Sequence, residues 1–433
     1  MTANTRFIGL GILASLTALV ARLRRSRSGS DRFFKDQHFH YETLRVVAHT
    51  PYGGAEIGEV FSIVGKIREG NTEDWYREWY AMAKFVEQKA DDIDDPRGKG
   101  LALMRAQNYY RNSEFYLSPT DPRRDDTFAN SARTYRDSLN QLGVEFHEFP
   151  VPYDGAQLNA IYYPSRADGA DDRPLLIAHG GYDSTLEELY FWFVAPALER
   201  GYSILTFSGP GQDSVIRQHG IPFTHEWERP TTAVIDAHLS HHDQPERFVL
   251  LGLSLGGLLA PRAAAFEKRI DGVVAIDAMY SFQDTLFTSM PAPARPIVRW
   301  LYDNDHARAL NLVVKLKARV DVGAAWGVSN GQWVMNFQGH GEIFNAFEPY
   351  HLEGIAELIQ SDVLLLWGED DHFVDDDQLT RMQAGLENAR SVTTKSYSAY
   401  EGGKEHAQTG ILTSVHADIF DWIHQRFLQT ESS

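Results

Sequence analysis

The pattern of hydrophobic and polar positions divides the chain at about a third of its length. Before that point, apolar and aromatic residues recur every three or four positions, as at Trp75, Trp79, Met82 and Val86, and no alternating stretch is found. This spacing places such side chains on one face of a helix. The sequence therefore predicts a helical N-terminal domain over residues 33–142.

Beyond that domain the pattern changes to short apolar runs separated by helical stretches. Residues 144–153 and 158–163 are typical of two strands joined by a tight turn at Asp154 and Gly155. Six further runs have the length of buried strands: 175–178, 204–207, 248–251, 273–276, 363–367 and 392–397. Short apolar strands that alternate with helices indicate a parallel sheet covered on both faces. The sequence predicts an α/β domain over 143–281 and 356–429, which ends in a helix at about 412–427.

Residues 282–355 interrupt the alternation of strands and helices. The segment opens with three prolines and continues with a helical piece and an aromatic stretch. It follows the sixth predicted strand, so it would lie above the carboxyl ends of the strands, where open α/β sheets bind ligands. We interpret it as a cap insertion.

Residues 1–32 form a separate segment, with an uncharged apolar run at 7–21 followed by an arginine-rich linker. The run is shorter than the roughly 20 residues that cross a bilayer. Its basic residues follow it, which is the reverse of a secretory signal and would keep the rest of the chain in the cytosol. The segment is compatible with a weak membrane anchor and equally with an N-terminal helix packed on the body. The predicted location is cytoplasmic in both cases.

Charge and composition narrow the function classes. The net charge of −18 disfavours binding to nucleic acid, because an acidic surface repels phosphates. The absence of cysteine excludes disulfides, thiolate nucleophiles and cysteine-type zinc sites. No phosphate-binding glycine loop occurs in the right context, so no cofactor and no metal are expected. Aromatic residues make up 12% of the chain, which suits a hydrophobic small-molecule substrate and also ordinary helix packing.

The motif G-x-S-x-G occurs twice, around Ser254 and around Ser329. It carries a nucleophilic serine when a strand precedes it and a helix follows it, because the serine then stands on a strained turn. Ser254 follows the apolar run at 248–251 and precedes a small-residue helix, whereas no strand precedes Ser329. Ser254 is therefore the candidate nucleophile, and we interpret Ser329 as a loop or helix-end residue.

A serine of this kind needs a base and an acid, which follow it in the order Ser, Asp, His. The run at 363–367 ends in carboxylates, of which Asp371 is preferred as the acid and Asp370 is the alternative. His406 lies on a glycine-containing loop between the last predicted strand and the last helix, and it is the candidate base. The loop that begins with His179 has the form of an oxyanion loop. Its predicted donors are the backbone N–H groups of Gly181 or Tyr182, together with that of Leu255.

Four runs together resemble one branch of the α/β hydrolases: HGGYDSTLEELYFW, LGLSLGGLLAPRAAAFEKRI, WGEDDHFVDDDQ and EGGKEHAQTG. The branch includes FrsA-type esterases, 2,6-dihydroxypseudooxynicotine hydrolase and fungal fusarin-type biosynthetic-cluster hydrolases. The early run FFKDQHFHYE extends the resemblance to about residues 33–428. It implies an α/β-hydrolase fold whose N-terminal helices form a lid over the active site. It also implies that Ser254, Asp371 and His406 are the catalytic triad. One departure is Asp375, where relatives often have proline.

Members of this branch split esters or ketone-activated carbon–carbon bonds, or assist ring formation in biosynthetic pathways. The resemblance therefore implies a serine hydrolase acting on an ester, a lactone or an activated carbon–carbon bond, with polyketide-type secondary metabolism as one setting. An acyl-transferase or cyclase with the same triad is the alternative enzyme. A non-catalytic binding module on the same scaffold is the third hypothesis.

Overall fold

The computed structural model describes residues 32–428 and contains an eight-stranded sheet. The strands are β1 His147–Tyr153, β2 Ala156–Tyr163, β3 Leu175–His179, β4 Ile204–Ser208, β5 Phe248–Leu253, β6 Ile270–Ile276, β7 Asp362–Gly368 and β8 Ser391–Tyr397. Their order is β1-β2-β4-β3-β5-β6-β7-β8. The β1–β2 and β2–β4 pairs are antiparallel, and the remaining pairs are parallel.

The sheet confirms the predicted α/β-hydrolase fold. Each of the eight apolar runs became a strand, and the turn between the first two has positive φ at both Asp154 and Gly155, as a tight hairpin requires. Successive residues of β3 point into different cores: Leu175 and Ile177 into one, Leu176 and Ala178 into the other. The central strands β3 to β7 are therefore buried on both faces and continuously apolar, whereas the edge strands β1 and β8 are largely exposed.

Five helices precede the sheet: α1 Gln37–Ala48, α2 Ile57–Val64, α3 Thr72–Asp91, α4 Pro96–Glu114 and α5 Arg123–Leu142. They enclose a core of their own, in which Phe39, Trp75, Trp79 and Tyr109 are fully buried. The aromatic residues at helical spacing thus hold the N-terminal helices together. The contacts with the body of the protein come from α1, α4 and α5, and the Tyr135 hydroxyl of α5 is hydrogen-bonded to that of Tyr163 in β2 at 2.6 Å.

The strands of the sheet are connected by short helices. The first of these are α6 Leu186–Leu189, a π-helical turn Tyr190–Val194, α7 Ala195–Glu199, α8 Asp213–His219, α9 Glu228–Leu239 and α10 Gly256–Phe266. Between β6 and β7 lie α11 Phe282–Thr288, α12 Arg295–Asp303, α13 Ala307–Val320, α14 Val322–Val334 and α15 Ile343–Phe347. The last two helices are α16 Asp376–Gly385 and α17 Leu412–Phe427. The insertion predicted after the sixth strand is thus a helical cap.

The predicted boundaries at 142/143, 281/282 and 355/356 fall between helices and strands. The apolar run at 7–21, interpreted as an anchor, lies outside the described residues. Within residues 32–428, no helix has the length and apolarity needed to cross a membrane.

A buried ion cluster attaches the N-terminal helices to the body. Arg45 of α1 binds Glu188 with Nε at 2.5 Å and Asp183 with Nη1 at 2.7 Å. Arg111 of α4 binds the same two carboxylates at 3.0 and 3.1 Å, and Glu42 completes the group. Both arginine side chains are at most 8% exposed. The cluster therefore fixes the position of the N-terminal helices on the body, because buried charges are tolerated only when they are paired.

Replacing Arg45 by methionine is expected to lower the free energy of unfolding by about 3–5 kcal/mol, because Asp183 and Glu188 would lose a buried partner. Arg133→Met provides the matched control, since Arg133 pairs with Glu87 on the surface and its side chain is 48% exposed. Surface pairs contribute under about 1 kcal/mol. Urea unfolding of both variants measures the difference, and equal losses would contradict the assigned role of the cluster.

Candidate active site

Ser254 lies on the turn between β5 and α10 and has φ of +62°, a conformation that L residues rarely adopt. The turn is possible only because its neighbours are small. A Cβ atom on Gly252 would lie 2.0 Å from the carbonyl oxygen of Gly256. The Ser254 N–H donates to the Ile276 carbonyl at 3.0 Å, which anchors the turn to β6. The strained strand–turn–helix arrangement predicted for this serine is present.

His406 is brought to this turn from the loop after β8. Its Nε2 lies 2.9 Å from the Ser254 hydroxyl, and its Nδ1 lies 2.7 Å from Oδ2 of Asp371. With a carboxylate beside Nδ1, the proton of the neutral ring sits on Nδ1, so Nε2 is the acceptor for the serine proton. The three residues predicted to act together therefore form one hydrogen-bonded chain.

Asp371 is held rigidly in that chain. Its other oxygen, Oδ1, accepts the N–H groups of Phe373 at 2.8 Å and Val374 at 3.1 Å. The alternative acid, Asp370, points to Lys404 at 3.1 Å on the surface. The geometry thus favours Asp371 over Asp370 as the partner of His406.

A second carboxylate, Asp277, was not foreseen from the sequence. It follows β6, is fully buried, and places Oδ2 3.1 Å from Nδ1 of His406. It also accepts the Ala407 N–H at 2.9 Å and the Gln408 side-chain amide at 3.0 Å. Ala407 and Gln408 both have positive φ, so Asp277 fixes the strained loop that carries the base. Its position directly after an apolar strand was the feature of the sequence that could have indicated a place in the site.

Among residues 32–428, Asp277, Asp371 and His406 are the one group with three ligand atoms within 4.8 Å of one another. The same atoms are hydrogen-bonded to each other, and the remaining nitrogen of the histidine faces Ser254. The arrangement therefore fits proton transfer between serine and histidine better than metal coordination.

The two carboxylates change the acidity of the histidine. Burial disfavours the imidazolium, but the charges of Asp277 and Asp371 outweigh burial and raise the pKa of His406 from 6.5 to about 9. Burial opposes ionisation of Asp371 as well, yet the contact with His406 holds the pKa of Asp371 below its usual value. Burial raises the pKa of Asp277 to about 7. Asp371 thus ionises more readily than Asp277.

The pKa of His406 leads to a prediction about pH dependence. The base must be unprotonated to accept the serine proton, so kcat/KM should rise with pH along a limb near 9 instead of 6.5. Asp277→Asn removes one of the two raising charges and should move the limb to lower pH. The measurement is kcat/KM for an aryl ester from about pH 6 to about pH 10. A limb near 6.5 in both the unmodified protein and Asp277→Asn would contradict the raised pKa of His406.

The predicted oxyanion loop lies against the serine turn. A Cβ atom on Gly181 would be 2.7 Å from the backbone nitrogen of Leu255. The N–H of Gly181 already donates to Ser184 Oγ at 2.9 Å, so our first choice of loop donor is engaged elsewhere. Tyr182 and Leu255 are then the candidate donors. The Tyr182 hydroxyl donates to Gly327 of the cap at 2.8 Å, which connects this loop to α14.

The turn after β4 holds the oxyanion loop in place. Gln212 is 3% exposed, and its side-chain amide donates to the carbonyls of Gly180 and Gly181, both at 2.9 Å. Its oxygen accepts the Gly209 N–H at 3.0 Å. Nothing in the sequence pattern indicated this role of the glutamine.

Helix α1 reaches the candidate base, His406. The Tyr41 ring lies 6.0 Å from the His406 ring and 4.9 Å from that of His372. His38 lies 5.8 Å from Phe373, whose ring is 5.0 Å from His406. The N-terminal helices thus border the active site, although the residues that do so belong to α1 and not to the aromatic positions of α3.

The second G-x-S-x-G motif does not form a nucleophile turn. Ser329 lies within α14, and no strand precedes this helix. The strand requirement therefore separated the two motifs correctly, although Ser329 is inside a helix and not at its end.

Comparison with known proteins gives a consistent result. A family model described as "Alpha/beta hydrolase family" matches residues 175–398, which include Ser254 and Asp371. The chain is 32% identical over 425 residues to hydrolase acrC of Aspergillus aculeatus, covering 92% of this chain and 98% of that protein. It is 30% identical over 414 residues to 20-hydroxy-prefusarin hydrolase FUS2 of Gibberella moniliformis, with the same coverage of 92% and 98%.

Solved structures with the same fold include that of 2,6-dihydroxy-pseudo-oxynicotine hydrolase. It superposes with a TM-score of 0.68 at 18% identity, over 89% of this chain and 95% of that one. The resemblance stated from the sequence is thereby confirmed for both the family and the fold.

Proposed function

Since the chain belongs to the alpha/beta hydrolase family, we propose that it is a serine hydrolase in which Ser254, His406 and Asp371 act as nucleophile, base and orienting acid. The observation that carries this proposal is the continuous path from the Ser254 hydroxyl through both nitrogens of His406 to Asp371, at 2.9 and 2.7 Å. A serine hydroxyl becomes an effective nucleophile when a base accepts its proton.

In the first half of the reaction, Ser254 Oγ attacks the substrate carbonyl carbon while its proton passes to Nε2 of His406. The N–H groups of Tyr182 and Leu255 stabilise the negative oxygen that forms. The bond to the leaving group then breaks, and His406 gives the proton to that group. Asp371 keeps the ring oriented and stabilises the imidazolium.

In the second half, water attacks the acyl-serine. His406 accepts a proton from that water, a second tetrahedral oxyanion forms, and the acid product leaves as the proton returns to Ser254. The same steps apply to an ester, a lactone or a ketone-activated carbon–carbon bond. They differ only in whether the proton goes to an oxygen or to an enolate carbon.

We infer a hydrophobic small-molecule substrate, in a pathway of the polyketide type. The support is the similarity to 20-hydroxy-prefusarin hydrolase FUS2, whose name gives a small-molecule substrate, and the aromatic side chains of α1 and the cap around the site. The net charge of −18 speaks against a nucleic-acid partner.

Labelling with a fluorophosphonate probe tests the nucleophile directly. We expect one probe molecule on the peptide that contains Ser254, and no labelling of that peptide in His406→Ala, since the serine then lacks its base. An active protein that the probe does not modify at Ser254 would contradict the proposal and revive a non-catalytic role for this site.

Turnover in ¹⁸O-water separates hydrolysis from acyl transfer or cyclisation. Aryl esters, lactones and β-diketones are the substrates to screen. Hydrolysis places one ¹⁸O atom in the acid product, because water is the second nucleophile. A product formed at an equal rate without the label would favour the acyl-transferase or cyclase alternative.

A further inference from the structure

A small cleft, open to solvent on one side, lies beside the oxyanion loop. Its floor is the stretch from Tyr182 to Thr185, its roof is the end of α4 and the start of α5, and α14 of the cap forms one side. It therefore adjoins the loop on which the reacting carbonyl is proposed to sit. Neither Ser254 nor His406 lines it, so it would receive a part of a ligand that is distant from the reacting bond.

Two buried arginines line the cleft, and each has an N–H group that is not hydrogen-bonded within the described residues. The side chain of Arg217 is 8% exposed and that of Arg124 is 10% exposed. Within residues 32–428, the Nε atoms of both are buried without a hydrogen-bond partner. Buried polar atoms are nearly always paired, so two such donors in one cleft indicate a ligand that presents acceptors.

The wall is flat and aromatic next to these donors. The guanidinium carbons lie 4.4 Å (Arg124) and 5.4 Å (Arg217) from the centre of the Trp333 ring. Trp326 also borders the cleft and stacks on Phe115 with ring centres 4.6 Å apart. Indole faces of this kind suit a planar unsaturated segment of a ligand.

The arginines of the cleft are unequally paired. Glu114 is the buried carboxylate that pairs with Arg217, at 2.7 Å, and it lies 3.8 Å from Arg124. Asp125 also pairs with Arg217, but its side chain is 88% exposed and therefore screened by water. Arg111 pairs with Asp183 within the ion cluster. Arg124 is therefore the least well paired of the three arginines.

The pKa of Arg124 agrees with this weak pairing. Burial lowers the pKa of Arg124 to about 10 although Glu114 opposes the shift, as expected for a guanidinium with too little negative charge nearby. Asp213, which also borders the cleft, has a raised pKa, chiefly because of its burial.

We propose that this cleft binds the distal, carboxylate-bearing end of the substrate, with the carboxylate on Arg124 and Arg217 and a flat unsaturated segment against Trp326 and Trp333. The proposal rests on the proposed function, because it assigns the other end of the same molecule to Ser254. It narrows the substrate class to an acyl compound that carries a second, free carboxylate.

Binding to the Ser254→Ala protein tests the cleft without requiring catalysis. The probes are 1-naphthoate and its uncharged isostere 1-naphthamide, titrated by calorimetry. We expect the carboxylate to bind more tightly by about 10- to 100-fold, the range for a charge-assisted pair. Equal affinities for the two probes, or no binding of 1-naphthoate, would overturn the proposal even if Ser254 proved to be the nucleophile.

Variants locate the probe within the molecule. Arg124→Met should weaken the binding of 1-naphthoate by a similar factor and leave the affinity for 1-naphthamide unchanged. The surface control Arg133→Met should change neither affinity. Loss of both probes together with a lowered unfolding temperature would indicate a folding defect. In that event Trp333→Leu, which leaves the charges of the cleft unchanged, provides the test. The proposal requires that this variant bind both probes more weakly, by the same factor. Unchanged binding of both probes would refute the site.

Kinetics of the wild-type protein connects the cleft to the substrate. If the carboxylate belongs to the substrate, 1-naphthoate should inhibit ester turnover competitively, and an ester with a free terminal carboxylate should have a higher kcat/KM than its methyl-capped analogue. Non-competitive inhibition with equal kcat/KM values would show that the cleft holds a separate small acid, and would overturn its assignment to the substrate.

Discussion

Turnover should fall by on the order of 10⁶ when Ser254 is replaced by alanine. In the proposed mechanism the hydroxyl is the atom that attacks the carbonyl, and without it His406 Nε2, now 2.9 Å away, has no serine proton to accept. Alanine also fits the positive φ at this position no worse than serine, so the fold should be retained. Single-turnover measurements with an aryl ester, together with a thermal unfolding curve, separate loss of chemistry from loss of structure.

Ser329→Ala is the matched control for this experiment. It removes the same hydroxyl from the second G-x-S-x-G motif, which lies within α14 of the cap. Its turnover should stay within about two-fold of the unmodified protein, because surface and helix positions without a special role tolerate such changes. A large loss in Ser329→Ala with little loss in Ser254→Ala would reverse our assignment of the two motifs.

The second large effect is expected for Asp371→Asn, with a loss in kcat of about 10³–10⁴. An amide at this position would present a donor to Nδ1 at 2.7 Å and would favour the tautomer in which Nε2 carries the proton. In that tautomer the histidine cannot accept the serine proton. The measurement is kcat across the pH range, since the defect should persist at high pH.

Asp277→Asn distinguishes the two carboxylates that face His406. Asp277 lies farther from Nδ1, at 3.1 Å, and spends most of its bonding capacity on Ala407 and Gln408. We therefore expect a smaller loss in kcat than for Asp371→Asn and a shift of the pH profile. If Asp277→Asn were the more damaging change, Asp277 would be the orienting acid and Asp371 the support.

The sequence by itself determined the fold and the order of the reacting groups. Alternating or continuous apolar runs predict strands, because successive side chains of a strand point to opposite faces of the sheet and are buried on one face or on both. All eight predicted strands are present in the structure. Ser254 was distinguished from Ser329 by the strand before it. Asp371 and His406 followed from their places after strands, since parallel strands end at one edge of the sheet. These are local signals, and each is readable within about ten residues.

What only the tertiary structure decided involves contacts between distant segments. Asp277 contacts His406, which follows it by 129 positions in the sequence, and Gln212 holds a loop about 30 residues before it. Gly181 was engaged by Ser184 because of a turn geometry that the motif does not specify. Arg45 and Arg111 meet their carboxylates only after the N-terminal helices dock.

The physical reason for this division is that the periodicity of side chains within an element is a local property, whereas the complementarity of buried charges joins different elements. A strand or a strained turn is selected by the residues within it, so its pattern survives in the one-dimensional chain. A buried charge is placed by partners from other elements, which must supply the hydrogen bonds that water no longer provides. The pairing of Arg124 with Glu114 and the electrostatics around His406 therefore became visible only once the helices, the sheet and the cap had been assembled.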